Sequence, residues 1–282
     1  MGNKIYLPVC QKLIQIVRSG FNTLDIKAQH QLVEFITSRQ DDNGGFRDRS
    51  DRSDLYYSVF GYWLGEALNL DQVLEKHKVY IRNLNHDSLP GAVDRLSFML
   101  IRKGLFRNEK KNSLLSLIKT AFMEPGKSAF SYRIFLFMLA IDPNETGRRI
   151  FSFFLRIWLY FYKPTGSMPC SVLSALIFVK SSTGLDVEKE KRKLITYHVE
   201  GSGFKAFDHM RTCDLLSTAV ALFVLREADH DLRLITPDCL HFIEMNYKSG
   251  AFLPGNGDMI PDLEYTFYGL LALGSLVTDY EE

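Results

Sequence analysis

The chain has 282 residues, 46% of them hydrophobic and 24% charged, and a formal net charge of +1. This composition supplies a large core and excludes both a disordered polymer and a membrane bundle. The near-neutral balance argues against a nucleic-acid-binding surface. The four cysteines, Cys10, Cys170, Cys213 and Cys239, are scattered and form no CxxC pair. The N-terminus, MGNKIYLPVC, carries no long apolar signal region, and Tyr6 stands where a myristoylation site needs Ser or Thr. A reducing, cytoplasmic location is the expectation.

From the N-terminus onward the apolar residues recur with helical spacing. Leu13, Ile14, Ile16 and Val17 share one face, as do Leu32, Val33, Phe35 and Ile36. No sustained strand-like alternation occurs, and Gly and Pro cluster between the apolar segments. A helix over 28–38 leads into GGFRDRSDRSDLYYSVFGYWLGEAL, Gly44 to Leu68. Two later stretches share its grammar: SGFKAFDHMRTCDLLSTAVALFVLREA, Ser202 to Ala228, and SGAFLPGNGDMIPDLEYTFYGLLALGSL, Ser249 to Leu276. Each has a small-Gly-apolar turn, a polar loop, then Asp-Leu-x-x-[Ser/Thr] opening an apolar helix. The aligned aspartates are Asp54, Asp214 and Asp262.

Weaker copies lie between. LPGAVDRLSFMLI puts Val93 at the aspartate position, KSAFSYRIFLFML starts a helix near Ser131, and GSMPCSVLSALIFV puts Cys170 there. Steps of roughly 40 to 50 residues mark a helical repeat array. An aspartate at the head of an apolar helix is a good N-cap, because its carboxylate accepts an orphan backbone N–H. Each unit therefore reads as an outer helix, a turn and an inner helix buried on both sides. The expected fold is all-α, a single α/α toroid of about six helix pairs over residues 1–282. The run Ile150 to Tyr162, IFSFFLRIWLYFY, is shorter than the roughly 20 residues a spanning helix needs. It reads as a buried helix, or as a contact for a protein partner or membrane surface.

Gln40-Asp-Asp-Asn-Gly-Gly-Phe46 resembles the Gln-x-x-x-Gly-x-Trp repeat of triterpene cyclases, with Phe46 in place of Trp. The Gly-Gly-Phe turn followed by Asp-Leu-Tyr-Tyr-Ser also resembles the repeats of protein prenyltransferase beta subunits. The resemblance implies a toroid with a central apolar cavity lined by aromatic side chains, in which an isoprenoid chain lies. Tyr56, Tyr57, Phe60, Tyr62, Phe98, Tyr132, Phe135, Tyr265, Phe267 and Tyr268 fall on inner-helix candidates.

The families' catalytic residues are only partly present. Tyr265 falls where the prenyltransferases carry a zinc-binding histidine, and Thr212-Cys213-Asp214 breaks their Asp-x-Cys spacing. A rearranged set of His209, Cys213, Asp214 and Glu264 has suitable ligand types, but neither a metal nor another cofactor is expected. Asp214-Leu-Leu-Ser-Thr-Ala219 keeps the first Asp and the Thr-Ala of the protonating cyclases' motif, and Leu216 replaces its central acid. The candidate catalytic residues are Asp214, Glu264 and Tyr265. The candidate ligand-binding residues are Asp54, Tyr56, Tyr57, Arg211, Asp262 and Tyr268, with Arg211 placed to meet a polar head group. The functional expectation is an isoprenoid-handling protein with degenerate catalytic motifs. The alternatives are a non-catalytic toroid acting through a protein partner and, behind it, a helical-barrel glycosidase using two rim carboxylates.

Overall fold

A computed structural model describes residues 9–106, 114–123, 136–137, 139–140 and 168–277. The regular secondary structure of the described residues is helical apart from one short ribbon. Its first helices are α1 (Val9–Asn22), α2 (Ile26–Ser38), α3 (Leu55–Leu68), α4 (Asp71–Asn83) and α5 (Ala92–Leu105). They are followed by α6 (Leu114–Ile118), which runs into a π turn over Lys119–Met123, then α7 (Cys170–Ser182) and α8 (Glu188–Ile195). The last are α9 (Leu215–Glu227), α10 (Thr236–Met245) and α11 (Leu263–Leu276). One two-residue antiparallel ribbon, β1 (Tyr247–Lys248) with β2 (Ala251–Phe252), pairs Tyr247 with Phe252.

Two kinds of helix alternate, as the apolar patterning requires. α3, α9 and α11 are buried nearly all round: α3 buries Leu55, Val59, Phe60, Trp63 and Leu64 on different faces. α4 buries one stripe only, Val73, His77 and Ile81, spaced by one helical turn, and its remaining face is charged. The first kind is the inner helix of each repeat and the second is the outer.

The chain forms two compact units. One comprises residues 1–15 and 36–150, the other residues 16–35 and 151–282. In the first, α3 packs on α4 and α5, and α5 packs on the π turn. In the second, α9 packs between α7 and α11, with α8 against α7 and α10 against α11. Residues 16–35 belong to this second unit because α1 and α2 meet the last repeat. A Cβ on Gly20 would overlap the Leu270 carbonyl, and one on Gly274 would overlap the Ile16 carbonyl. Two glycines therefore let α1 and α11 touch backbone to backbone.

The turns leading into α3, α9 and α11 share one wiring. Each turn closes with a bridge to a fully buried phenylalanine: Gln40 to Phe46, His198 to Phe204 and Tyr247 to Phe252. The backbone N–H of that phenylalanine donates to a hydroxyl one turn into the inner helix. The pairs are Phe46 to Ser58 Oγ at 3.0 Å, Phe204 to Thr218 Oγ1 at 2.9 Å and Phe252 to Thr266 Oγ1 at 3.3 Å. Glycines on α3 and α11 make room for the ring, since a Cβ on Gly61 or Gly269 would run into Phe46 or Phe252. The turn also grips a neighbouring outer helix. Gln40 Nε2 donates to the Val73 carbonyl of α4 at 2.9 Å, and the Tyr247 hydroxyl donates to the Ala28 carbonyl of α2 at 3.3 Å. Gly44, at φ 94°, lies against Lys76 of α4 just as Gly250, at φ 93°, lies against Gln31 of α2. Both need the left-handed backbone that glycine adopts without strain.

Candidate functional site

The sequence candidates cluster at the heads of α3, α9 and α11, and the aspartates there act as N-caps. Asp54 accepts from the Tyr57 N–H at 2.9 Å, Asp214 from Ser217 at 2.8 Å and Asp262 from Tyr265 at 2.8 Å. The second Asp214 oxygen accepts from the Ser217 hydroxyl at 2.7 Å. Burial raises the pKa of Asp54 and Asp214 above the ordinary carboxylate value, and the cap hydrogen bonds pull it back. The motif Asp-Leu-x-x-[Ser/Thr] thus has a local explanation: the aspartate starts the inner helix, and the hydroxyl four residues on holds the buried phenylalanine of the turn.

In the first unit Asp54, Tyr56 and Tyr57 share the first turn of α3. The Tyr56 ring meets Tyr57 and Phe60 edge-on at 5.9 and 5.1 Å. In the second unit the Leu215 N–H donates to the Pro254 carbonyl at 2.8 Å, which joins the head of α9 to the loop leading into α11. Asp214, Asp262, Glu264, Tyr265 and Tyr268 all lie on these two adjoining helices or at their heads. Asp262, Glu264 and Tyr268 are buried, Asp214 and Tyr265 are half-buried, and Arg211 is exposed in the loop before α9. Half-buried apolar side chains accompany them, Leu216 and Val220 on α9 and Leu176 and Val179 on α7, with Val172 exposed on α7. His209 is exposed and Cys213 buried. Among the described residues, no three His, Cys, Asp or Glu side chains converge to hold a metal ion.

The weaker repeats start elsewhere than their sequence alignment suggests. α5 begins at Ala92 with Gly91 as its N-cap, two residues before Val93 would open it. α7 begins at Cys170 with Pro169 as its cap, and the Cys170 N–H donates to the Ala206 carbonyl as Leu215 does to Pro254. Neither cap residue has a side-chain acceptor, so the spacing of apolar residues was the only guide to register. The helix near Ser131, the aromatics Tyr132 and Phe135, and the run 150–162 lie outside the described residues. Among those described, no helix is long and apolar enough to cross a membrane. Phe60 and Phe98 are buried in the first unit.

Three residues absent from the sequence candidates stand near the head of α3. Tyr80 of α4 packs over the turn, where a Cβ on Gly45 would meet its ring. Its hydroxyl pKa is raised by burial and by Asp54, Asp41 and Asp94. Asp94, in the first turn of α5, is raised by burial and by the charge of Asp54. His77 is fully buried, and burial pushes its pKa down to about 4. His77 belongs to the buried stripe of α4 and half-buried Tyr80 flanks it, so the one available signal was an imidazole on an apolar helical face. A polar cleft of about 390 Å³ opens at the other end of these helices, lined by Glu66, Asp71, Glu75, Lys78 and the end of α5.

No protein-family model matches the chain, and no solved structure matches it.

Proposed function

We propose that the chain is an α/α toroid, similar in plan to terpenoid cyclases and prenyltransferase beta subunits, that binds an apolar polyprenyl-type ligand without transforming it. One observation carries this reading. Three of the four carboxylates that would have to protonate or orient a substrate, Asp54, Asp214 and Asp262, are each engaged as helix caps, and the fourth, Glu264, is buried in the first turn of α11. Half-buried apolar and aromatic side chains stand near these helix heads within each unit, Tyr56 and Tyr57 in the first and Leu216, Val220 and Tyr265 in the second. Such side chains supply apolar area and aromatic faces for a hydrocarbon chain. The toroidal plan draws support from the shared wiring, since the turn of the last repeat meets α2 in the way the turn of the first meets α4.

The test is to incubate the pure protein with prenyl diphosphates and prenyl alcohols of increasing length, following binding by calorimetry and products by chromatography. Affinity should rise with chain length, the alcohols should bind, and no product should form. Absence of binding at every length contradicts ligand binding, and turnover contradicts the non-catalytic part. A protein partner is the second reading. It is favoured by the exposed apolar side chains Leu234, Leu240 and Met245, in and just before α10. A partner reading predicts no prenyl binding and a complex that Leu240→Asp and Met245→Asp variants abolish.

A further inference from the structure

Turns 40–46 and 198–204 are built alike, yet a histidine sits differently in each. His77 reaches from α4 into the first turn. Its Nδ1 lies 2.8 Å from the Gly44 carbonyl oxygen, so Nδ1 carries the proton and donates it. Its Nε2 is buried with no hydrogen-bond partner. The ring meets Phe46 edge-on at 5.3 Å and stacks on Tyr80 at 5.8 Å. Asp41, Asp54 and Asp94 bear on Tyr80, while the imidazole is perturbed only by its burial and by the Gly44 hydrogen bond. A proton on Nε2 would therefore place a cation and an unsatisfied N–H in an apolar packing site, an arrangement of high cost.

We propose that His77 is an acid-sensitive latch: neutral, it fastens the turn 40–46 to α4, and protonation at Nε2 releases the turn. Release frees Phe46 from beneath α3 and with it the bond from its N–H to Ser58 that ties the turn to that helix. His198 supplies a contrast within the same chain. Its Nε2 likewise makes no hydrogen bond, but it lies 3.6 Å from an Asp238 carboxylate oxygen, within ion-pair reach. Burial lowers its pKa, but Asp238, the Ser202 backbone and Glu200 all favour its charged form. The turn 198–204 therefore keeps a counter-charge beside a protonated ring, and the turn 40–46 does not.

The sign follows from linkage. His77 titrates near 4 when the turn is closed and near the ordinary 6.5 when it is open. Closure is at full strength above pH 6.5, weakens as pH falls through that value, and reaches its new floor below about 4. Between pH 7 and pH 4.5 the opening equilibrium should rise roughly 50-fold.

The experiment is amide hydrogen exchange on the full chain at both pH values, corrected for intrinsic exchange and read at Phe46 and Arg47, with Phe204 and Lys205 as internal reference. Wild type should lose protection at the first pair and keep it at the second. His77→Leu should remove the pH dependence. Leu32, which follows Gln31 on α2 as His77 follows Lys76 on α4, already fills the matching place against the last repeat's turn, so this variant is expected to fold. His77→Asn keeps a donor for Gly44 and should also be flat. Wild-type protection that does not change with pH overturns the proposal. So does an equal loss in both variants, which would place the titration on another group such as Asp41, whose pKa is lowered in the closed turn by Ser53 and Arg47.

Discussion

Asp214 shows why a carboxylate at the head of a buried helix is poor evidence for chemistry. Both of its oxygens are hydrogen-bonded within its own first turn, to the backbone and hydroxyl of Ser217. Asn caps a helix about as well as Asp and carries no charge to desolvate. Asp214→Asn is therefore expected to change unfolding free energy by less than about 0.5 kcal/mol at neutral pH, whereas Asp214→Ala should cost about 1–2 kcal/mol. The pKa of Asp214 is raised on folding, so its own titration favours the fold as pH falls through the carboxylate range. The gap between Asp214 and its Asn variant should move toward the native residue in that window. Denaturant titrations of the three proteins at pH 7 and pH 4 check both points. A large loss in the Asn variant would mean that the charge itself matters.

At the scale of the element, the turn and the inner helix form one device. The buried phenylalanine contributes roughly 1.5–3 kcal/mol of apolar burial, and it fixes where the chain enters the helix. Phe252→Ala should cost about 3–5 kcal/mol by leaving a cavity beside α11. Gly269→Ala should cost about 1–3 kcal/mol, because the added methyl runs into that ring. Combined, the two should cost less than their sum, since removing the ring makes room for the methyl; a double-mutant cycle measures the difference. An additive cycle would show that Gly269 and Phe252 do not act on each other. This device was legible in the sequence wherever its parts are chemical. Asp and hydroxyl recur at Asp54/Ser58, Asp214/Thr218 and Asp262/Thr266, and the turn's phenylalanine follows Gly directly at Phe46 and Phe204 and one residue later at Phe252. It was illegible where Gly91 and Pro169 cap by backbone alone, so the starts of α5 and α7 were misplaced by one or two residues. Tyr80, Asp94 and His77 were missed for a related reason. Their interest comes from what lies across the turn from them, and helical periodicity reports only the face on which a residue sits.

For the whole molecule, the meeting of the chain's beginning with its last repeat carries the most weight. Residues 16–35 pack in the same unit as α11, and Gly20 and Gly274 set that contact. Gly274→Val should push α1 off α11. The expected signs are a lower unfolding midpoint and faster proteolysis within residues 16–35, while Leu234→Ala, at an exposed site, should leave α1 protected. Equal proteolysis in the two variants would show that this contact does not hold the N-terminal helices. The fold class was evident from composition and periodicity because burial on two faces leaves a plain apolar signature. The contact between the ends was not, because two glycines give no apolar or charge signal.

The central claim is that this scaffold binds an apolar chain while its repeated aspartates serve as caps. It is tested most directly by calorimetric titration of the wild type and of the Asp54→Asn, Asp214→Asn and Asp262→Asn variants with farnesol and geranylgeraniol. The account predicts binding by all four proteins, tighter for the longer alcohol, with affinities agreeing within about threefold, which is less than 1 kcal/mol. Failure of the wild type to bind either alcohol, or loss of binding in any one asparagine variant that remains folded, would contradict it.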